Sequence, residues 1–268
     1  IRRFEGHEDW VGGAVLFPGG KKALSWSRGG TLRLWDIETG KEIRRFQGHR
    51  LPVNGALLFP DGKKALSWSD DEILRLWDIE TGKEIRRFEG HRHSVKGALV
   101  LADGKKALSW SWDRTLRLWD IESGKEIRRF EGHRLPVHGA LLFPDGKKAL
   151  SWSRDKTLRL WDIETGKEIR RFQGHEAWVN GAFLFLGGKK ALSWSLDETL
   201  RLWDIETGKE IKRFEGHKHW VKGALLFPDG NKALSWSEDK TLRLWDIETG
   251  KEIGRFEGCL LYTSPSPR

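Results

Sequence analysis

The chain has 268 residues, of which 38% are hydrophobic and 32% charged, and its formal net charge is +9 at pH 7. No run of about 18 apolar residues is present, which excludes a helix that spans a membrane. No charged segment followed by an apolar one opens the chain, so a secretory signal is not predicted. The sequence lacks Met even at position 1, which predicts a fragment or a processed product.

Four short stretches of the first repeated unit are predicted to be β-strands. Val11–Phe17 is apolar with glycines at its centre, which is typical of a buried strand close to other backbones. Ala23–Ser27, Thr31–Asp36 and Ile43–Phe46 follow, and the last carries two Arg that suit an outer edge. Hairpin signals such as Pro-Asp-Gly-Lys and Glu-Thr-Gly-Lys separate the stretches. This spacing, without any helical period, predicts an all-β protein of four-stranded antiparallel sheets.

The segment LRLWDIETGKEI begins at Leu32 and returns every 42 residues, with Ser123 as the only difference among six copies. Such an internal period predicts an array of similar structural units. Counted from the His that follows Gly, the units are residues 7–48, 49–90, 91–132, 133–174, 175–216 and 217–258.

The repeat ends at Gly258, where Cys259 stands in place of the expected His. The tail CLLYTSPSPR resembles a translated sequencing adapter, so residues 259–268 are predicted to be an artefact without a function. Residues 1–258 then contain no Cys, which excludes disulfides and thiol chemistry from them.

Two dipeptides, Gly-His and Trp-Asp, recur in register with the repeat. The Gly-His pairs begin at Gly6, Gly48, Gly90, Gly132, Gly174 and Gly216, and the Trp-Asp pairs at Trp35, Trp77, Trp119, Trp161, Trp203 and Trp245. Over residues 1–258 these motifs resemble the WD-repeat β-propeller family, in the regular form of bacterial proteins. The resemblance implies six blades of four antiparallel strands around a central channel.

The number of strands leaves open how a ring closes. Six inner triplets of strands are predicted but seven outer strands, counting Ile1–Phe4 and Ile253–Phe256, and only one of these ends can complete the last blade. We expect a near-closed monomeric ring of six blades, and more blades in a larger parent protein. An open arc cut from a larger ring is the alternative.

The resemblance also implies a hydrogen-bonded set of His, second-strand Ser, turn Asp and Trp in each unit. The sets are His49, Ser67, Asp71 and Trp77; His91, Ser109, Asp113 and Trp119; His133, Ser151, Asp155 and Trp161; His175, Ser193, Asp197 and Trp203; and His217, Ser235, Asp239 and Trp245. Ser153 is the alternative to Ser151. Unit 1 has Gly29 in place of the Asp, so we expect the first blade to be the weakest.

A His, a Ser and an Asp also suggest a catalytic triad, but their repetition argues against one. A hydrolase needs one nucleophile, one base, one oxyanion site and one pocket, whereas this trio occurs five times at the same spacing. The pairs His91/His93 and His217/His219 lack a Cys or acidic third ligand at a metal-site spacing, and no Gly-rich phosphate loop is present. We predict no enzymatic activity, no cofactor and no metal site.

The Trp residues fall into three groups. Six belong to Trp-Asp, and six more lie in the repeated ALSWS segment, where they are predicted to pack between neighbouring blades. This second group is Trp26, Trp68, Trp110, Trp152, Trp194 and Trp236. Four others do not repeat.

The positive charges recur among acids and form no basic stripe, so nucleic acid is not the predicted partner.

Differences between units gather in the loop after His, two residues past that loop, and just before the turn Asp. The candidate anchors are Trp10, Trp112, Trp178 and Trp220, and the other candidates are Asn54, Lys96, His138, Asn180, Lys222, Arg28, Asp70, Arg154, Leu196 and Glu238. We call these positions the variable face, because the resemblance places them on one face around the channel. Exposed aromatic residues at non-repeating positions are typical of binding anchors, which predicts a scaffold that binds a protein or peptide.

Two other interpretations of the variable face remain. The first is that the differences between units are random sequence drift in exposed loops, although the equally solvated turns of the opposite face hardly vary. An architectural spacer or sensor array, attached to an effector domain outside this fragment, is the other. A cytoplasmic location is expected.

Overall fold

The computed structural model describes residues 3–185 and 187–258, and all regular secondary structure in that part of the chain is β-strand. Sheets 1 to 3 contain β1 (Val11–Leu16), β2 (Lys22–Ser27), β3 (Thr31–Asp36), β4 (Glu42–Gln47); β5 (Val53–Leu58), β6 (Lys64–Ser69), β7 (Leu74–Asp78), β8 (Glu84–Phe88); and β9 (Val95–Val100), β10 (Lys106–Ser111), β11 (Leu116–Asp120), β12 (Glu126–Phe130). Sheets 4 to 6 contain β13 (Val137–Leu142), β14 (Lys148–Ser153), β15 (Leu158–Asp162), β16 (Glu168–Phe172); β17 (Val179–Phe185), β18 (Lys190–Ser195), β19 (Leu200–Asp204), β20 (Glu210–Phe214); and β21 (Val221–Leu226), β22 (Lys232–Ser237), β23 (Thr241–Asp246), β24 (Glu252–Glu257). The tail, residues 259–268, lies outside the described residues.

Each sheet has four antiparallel strands, hydrogen-bonded in chain order, and lies within one repeated unit. The prediction of six four-stranded antiparallel sheets is confirmed, with small shifts at the strand ends. Of the two ends that could complete the last sheet, the C-terminal one does so, because β24 pairs with β23. At the other end Phe4 lies outside any strand and packs edge-on against Trp35.

The Asp of each Trp-Asp motif holds the turn between the third and fourth strands. Asp36 Oδ1 accepts hydrogen bonds from the amide and the hydroxyl of Thr39, at 2.6 and 2.7 Å. The same two bonds recur at Asp78, Asp120, Asp162, Asp204 and Asp246. An Asp side chain that bonds the backbone a few residues later favours a turn, so the motif fixes this hairpin locally.

Alternation along the strands gives each sheet two different faces. In sheet 1, the register of β2 and β3 puts Ser25, Arg33 and Trp35 on one face and Leu24 and Leu34 on the other. We call the first the leading face, because its equivalents pack on the preceding sheet. The second is the trailing face, and its equivalents pack on the following sheet.

The chain divides into two compact bodies, one extending to Ser151 with Leu160–Ile169 added, the other comprising Trp152–Arg159 and the described residues from Arg170. In the first body, the trailing face of sheet 1 and the leading face of sheet 2 share one apolar cluster, and so do those of sheets 2 and 3. In the second body the same holds for sheets 5 and 6. The cores therefore form between consecutive sheets, as in repeats that cannot bury an apolar face alone.

The glycines at the centre of the first strands lie beneath a Trp ring, and Gly12 additionally lies near the Val53 carbonyl of the next sheet. Gly97 pairs with Trp110 of the neighbouring strand, and a Cβ atom on Gly97 would overlap that ring. Trp110 also packs against the apolar cluster that includes Val137 of the following sheet. The Trp of ALSWS thus covers its own sheet's Gly and contributes to the core between sheets.

Candidate functional site

A chain of buried hydrogen bonds crosses the leading face of each sheet. In sheet 3, Trp119 Nε1 donates to Ser109 Oγ at 2.8 Å, and Ser109 Oγ lies 2.8 Å from His91 Nε2. His91 Nδ1 lies 2.7 Å from Asp113 Oδ2. The amide and hydroxyl of Thr115 donate to Asp113 Oδ1 at 3.0 and 2.7 Å. Each buried polar group of the set therefore has a partner, as burial requires.

A neutral imidazole fits this chain of bonds in one tautomer. Nδ1–H donates to Asp113, Nε2 accepts the Ser109 hydroxyl proton, and Ser109 Oγ accepts from Trp119. Ser109 is 0% exposed, with its Oγ between two partners. A nucleophile must reach its substrate's reacting carbon, which this hydroxyl cannot do. The Asp, His and Ser therefore support the sheet.

The same geometry recurs in other sheets. His Nε2 lies 2.7–2.8 Å from Ser Oγ in the pairs His49–Ser67, His133–Ser151, His175–Ser193 and His217–Ser235. Those Ser accept from Trp77, Trp161, Trp203 and Trp245, each at 2.8 Å. Nδ1 of His49, His175 and His217 lies 2.7–2.9 Å from Oδ2 of Asp71, Asp197 and Asp239. In sheet 4, Ser153 Oγ instead accepts the amide of Asp155 at 3.0 Å.

Sheet 1 keeps this network without its carboxylate. Ser25 Oγ still bridges His7 Nε2 and Trp35 Nε1, at 2.6 and 2.7 Å. His7 Nδ1 has Thr31 Oγ1 at 3.4 Å, because Gly29 has no side-chain carboxylate. The longer contact to a neutral hydroxyl is weaker than a bond to a carboxylate, which is the physical basis for expecting the first sheet to be the least stable.

A buried Arg, which the repeated motifs do not single out, joins the network. Arg117 is 2% exposed, its Nη1 bonds Glu126, and its Nη2 lies 3.5 Å from Asp113. The equivalent buried residues are Arg33, Arg75, Arg159, Arg201 and Arg243. Two features of the sequence indicate this buried ion pair. Strand alternation places Arg117 between Thr115 and Trp119 on one face, and a Glu follows the Arg nine positions later in every unit. A buried charge of this kind requires such partners.

Burial and hydrogen bonding set the charges of the network. Burial lowers the pKa of His91 and outweighs the opposing effect of Asp113. Burial alone would raise the pKa of Asp113, but hydrogen bonds from His91 and Thr115 bring that pKa well below its usual range. At neutral pH the imidazole is therefore neutral and the carboxylate charged.

Within a unit, the variable positions of the loop and the turn meet through one backbone hydrogen bond. The residue before the turn Asp donates its amide to the carbonyl of the third residue after His. This bond joins Arg28 to Trp10, Asp70 to Pro52, Trp112 to Ser94, Leu196 to Trp178 and Glu238 to Trp220, at 2.9–3.1 Å. Loop and turn thus form one surface in each of these units.

Each of the four non-repeating Trp lies beside a cation that is itself at a variable position. The cation-to-centroid distances are 4.8 Å for Arg28 and Trp10, 4.1 Å for Lys96 and Trp112, 4.2 Å for Arg154 and Trp178, and 5.1 Å for Lys222 and Trp220. Trp10, Trp178 and Trp220 are 72%, 39% and 43% exposed, and Trp112 is half-buried. These distances suit cation–π attraction.

Two acidic residues of the variable face each bind a neighbouring lysine. Asp70 accepts from Asn54 Nδ2 at 2.7 Å and from Lys96 Nζ at 2.8 Å. Burial raises the pKa of Asp70, but the hydrogen bonds from Lys96 and other neighbours lower it overall. Glu238 pairs with Lys222 at 2.5 Å. Both acids hold a lysine that also lies over a Trp, so the aromatic and charged groups are fixed together.

Other variable positions have a packing role as well. Asn54 and Asn180 each donate from Nδ2 to a first-strand carbonyl of the following sheet, at 2.9 Å. His138 and Leu196 are half-buried. Trp112, Lys96, Asp70 and Arg154 are half-buried like these four residues, whereas the remaining positions of the variable face are exposed, namely Trp10, Trp178, Trp220, Arg28, Lys222 and Glu238.

An open depression of about 440 Å³ lies at the variable face of unit 3. It is lined by Trp112, His93, Arg92, Arg114 and Glu131 among others. The rings of His93 and Trp112 lie 5.7 Å apart. This depression offers an aromatic wall and two guanidinium groups, which suit an aromatic or carboxylate group of a partner.

The family model described as WD domain, G-beta repeat matches residues 1–36, 40–78, 82–120, 124–162 and 208–246. These segments make up more than half of the chain. The chain belongs to this WD-repeat family. Domains of the family generally act as protein-interaction scaffolds and are typically non-catalytic. Comparison with curated proteins found no match.

The WD-repeat matches leave residues 163–207 uncovered, yet the structure shows the same unit there. His175, Ser193 and Trp203 have the hydrogen bonds of the other units, and β17 to β20 form a four-stranded sheet.

Among residues 3–185 and 187–258, no group of three His, Cys, Asp or Glu is arranged to hold a metal ion. The described residues also contain no helix of the length and apolarity that a bilayer crossing requires.

Proposed function

We propose that this WD-repeat chain is a non-catalytic scaffold that binds a protein or peptide through its variable face. Trp10, Trp112, Trp178 and Trp220 are the proposed anchors, and the charged positions around them provide selectivity. The proposed location is the cytoplasm.

The pairing of each non-repeating Trp with a non-repeating cation carries this proposal. Independent drift at exposed positions would change a Trp and its neighbour without regard to each other. Here all four Trp have a Lys or Arg at another variable position, and two of those lysines are held by Asp70 or Glu238. Rigid, partly exposed aromatic groups ringed by polar ones are typical of energetic anchors in interfaces.

The test begins with selection of peptides from a displayed library against the intact chain, followed by measurement of their Kd. We expect Trp112→Ala or Trp220→Ala to weaken binding about 10- to 30-fold, as at an interface hot spot. The matched control is Lys63→Ala with Lys105→Ala, in exposed turns that hardly vary between units. This control should leave the Kd unchanged.

Either of two results would contradict the scaffold hypothesis and favour the architectural spacer. One is that no peptide is selected. The other is that a folded variant with all four Trp replaced by Ala keeps its Kd. Circular dichroism and the unfolding midpoint establish that each variant is folded before its binding is compared.

A further inference from the structure

The depression of unit 3 has a positive charge on each of the two residues that adjoin its turn Asp. Arg92 donates its backbone amide to Asp113 Oδ2 at 3.1 Å, and Arg114 directly follows Asp113 in the chain. Both arginine side chains are exposed, and both line the depression together with Trp112 and Glu131. The buried network therefore fixes the backbone of both arginines, while their guanidinium groups remain accessible.

The fold uses neither of these guanidinium groups. Within the described part of the chain, the side chains of Arg92 and Arg114 have no hydrogen bond and no ion pair, since both residues bond through their backbone amides. The two acids of the depression already have cationic partners. Asp113 lies against the buried Arg of the network, and Glu131 Oε1 lies 3.7 Å from Arg129 Nη1. The two arginines therefore give this surface an excess of positive charge.

The backbone of Arg114 is a second indication that its charge does not serve stability. Its φ is 73°, in the left-handed region that residues other than Gly rarely adopt. In unit 1 the same position is Gly30, with φ 74°. The other units have a charged residue there, with φ between 66° and 71°, namely Glu72, Lys156, Glu198 and Lys240. A side chain kept in such a backbone conformation indicates a function at that position.

Within most units, the residue after His and the residue after the turn Asp have charges of the same sign. The pairs of like sign are Arg92 and Arg114, Arg134 and Lys156, Glu176 and Glu198, and Lys218 and Lys240, and only unit 2 combines opposite signs. Glu176 and Lys218 also donate their amides to the turn Asp, each at 2.9 Å. Like charges near each other repel, so these pairs suit a charge on a partner better than they suit the fold.

We propose that the depression of unit 3 binds an acidic residue of the partner peptide, and that Arg92 and Arg114 contact its carboxylate. This inference rests on the proposed function and names the chemistry of the partner. A guanidinium group can donate two parallel hydrogen bonds to a carboxylate. The rings of Trp112 and His93 offer an apolar contact to the part of the peptide beside that carboxylate. Glu131 lines the same depression, which disfavours a dense polyanion such as nucleic acid.

The inference is tested on those selected peptides whose binding is weakened by Trp112→Ala, since they bind at unit 3. We expect each to contain an Asp or Glu. A copy with the neutral Asn or Gln in its place should have a Kd about tenfold higher, because charge-assisted hydrogen bonds are lost.

Charge reversal tests whether the two arginines are responsible. The variant Arg92→Glu with Arg114→Glu has in unit 3 the charges that unit 5 has. The order of affinities should then reverse, so that a peptide copy with Lys in place of the acid binds more tightly than the original. The matched control is Lys63→Glu with Lys105→Glu, in exposed turns. This control changes the net charge equally and should leave the Kd of every copy unchanged.

The substitution Arg114→Gly separates binding from folding. Gly suits a φ of 73° better than Arg does, so the unfolding midpoint should stay level or rise. The Kd of the acidic peptides should nevertheless rise about tenfold, for the loss of one charged donor. A lower midpoint with an unchanged Kd would overturn the inference, because the arginine would then support the fold alone.

The failure of this inference is distinguishable from the failure of the proposed function. If no peptide is selected, both fail. If peptides are selected but none depends on Trp112, or those that do bind equally well with Glu and Gln, the scaffold stands and this inference alone is overturned. Competition by single-stranded RNA at the concentration of the peptide would also overturn it, because the depression would then bind a polyanion.

Discussion

The buried histidines show how one repeated residue links folding to pH. His91 accepts from Ser109 and donates to Asp113, which uses both ring nitrogens of a neutral imidazole. A second proton on Nε2 would force the Ser109 hydroxyl to give up its donation to the ring and turn away. The WD-repeat network therefore favours neutral histidine, and this preference is repeated along the chain.

We predict that acidification below about pH 6.5 destabilises the protein. Burial lowers the pKa of His49, His91, His175 and His217 from the ordinary value of 6.5. The unfolded chain therefore takes up protons first, and stability that is complete above this pH is lost as the pH falls towards the folded pKa values. Each His adds a slope of up to about 1.4 kcal/mol per pH unit. Urea unfolding at pH values from about 8 to about 5 measures this slope.

The control for this prediction is His175→Gln. This variant lacks one titrating group, so it should start less stable at neutral pH and lose less stability on acidification. The lowered pKa values of the partner aspartates add a second loss only below their ordinary value of 3.8. A free energy of unfolding that stays level between neutral pH and pH 5 would contradict the assignment of neutral, buried imidazoles.

At the level of strands and turns, most of the fold could be predicted because its signals are local. The turn residues and the exact period locate four strands per unit, and Asp36 with Thr39 closes one turn without help from elsewhere. The Gly–Trp contact could not be predicted in the same way. It depends on which strand lies beside the first and in what register, and that information is in the pairing of Gly97 with Trp110. For the same reason the contact between Arg117 and Asp113 is visible only in the structure.

We predict opposite effects for two substitutions of strand glycines. Gly97→Ala places a methyl group in the ring of Trp110, and overpacking of this kind costs about 1–3 kcal/mol. Gly254→Ala meets nothing closer than Leu244 Cβ at 3.6 Å, so it should be neutral or stabilise by up to about 1 kcal/mol, through lower entropy of the unfolded chain. Urea unfolding of both variants measures the difference. Equal effects would mean that the Trp ring does not lie over Gly97.

At the scale of the whole chain, stability in an array is a sum of units and of contacts between neighbours. Sheets 2 and 3 each share apolar clusters on both faces, whereas Val11 on sheet 1 and Phe256 on sheet 6 are exposed. Sheet 1 additionally lacks the turn carboxylate. The terminal sheets therefore have fewer of the interactions that resist local opening.

We predict that amide hydrogen exchange is faster in β1 and in β21 to β24 than in the equivalent strands of sheets 2 and 3. Peptides that begin in the loop after each His identify their unit, since that loop differs between most units whereas the strands are nearly identical. Uniform exchange across all six units at low concentration would contradict the nearest-neighbour argument, because every sheet would then have the same support.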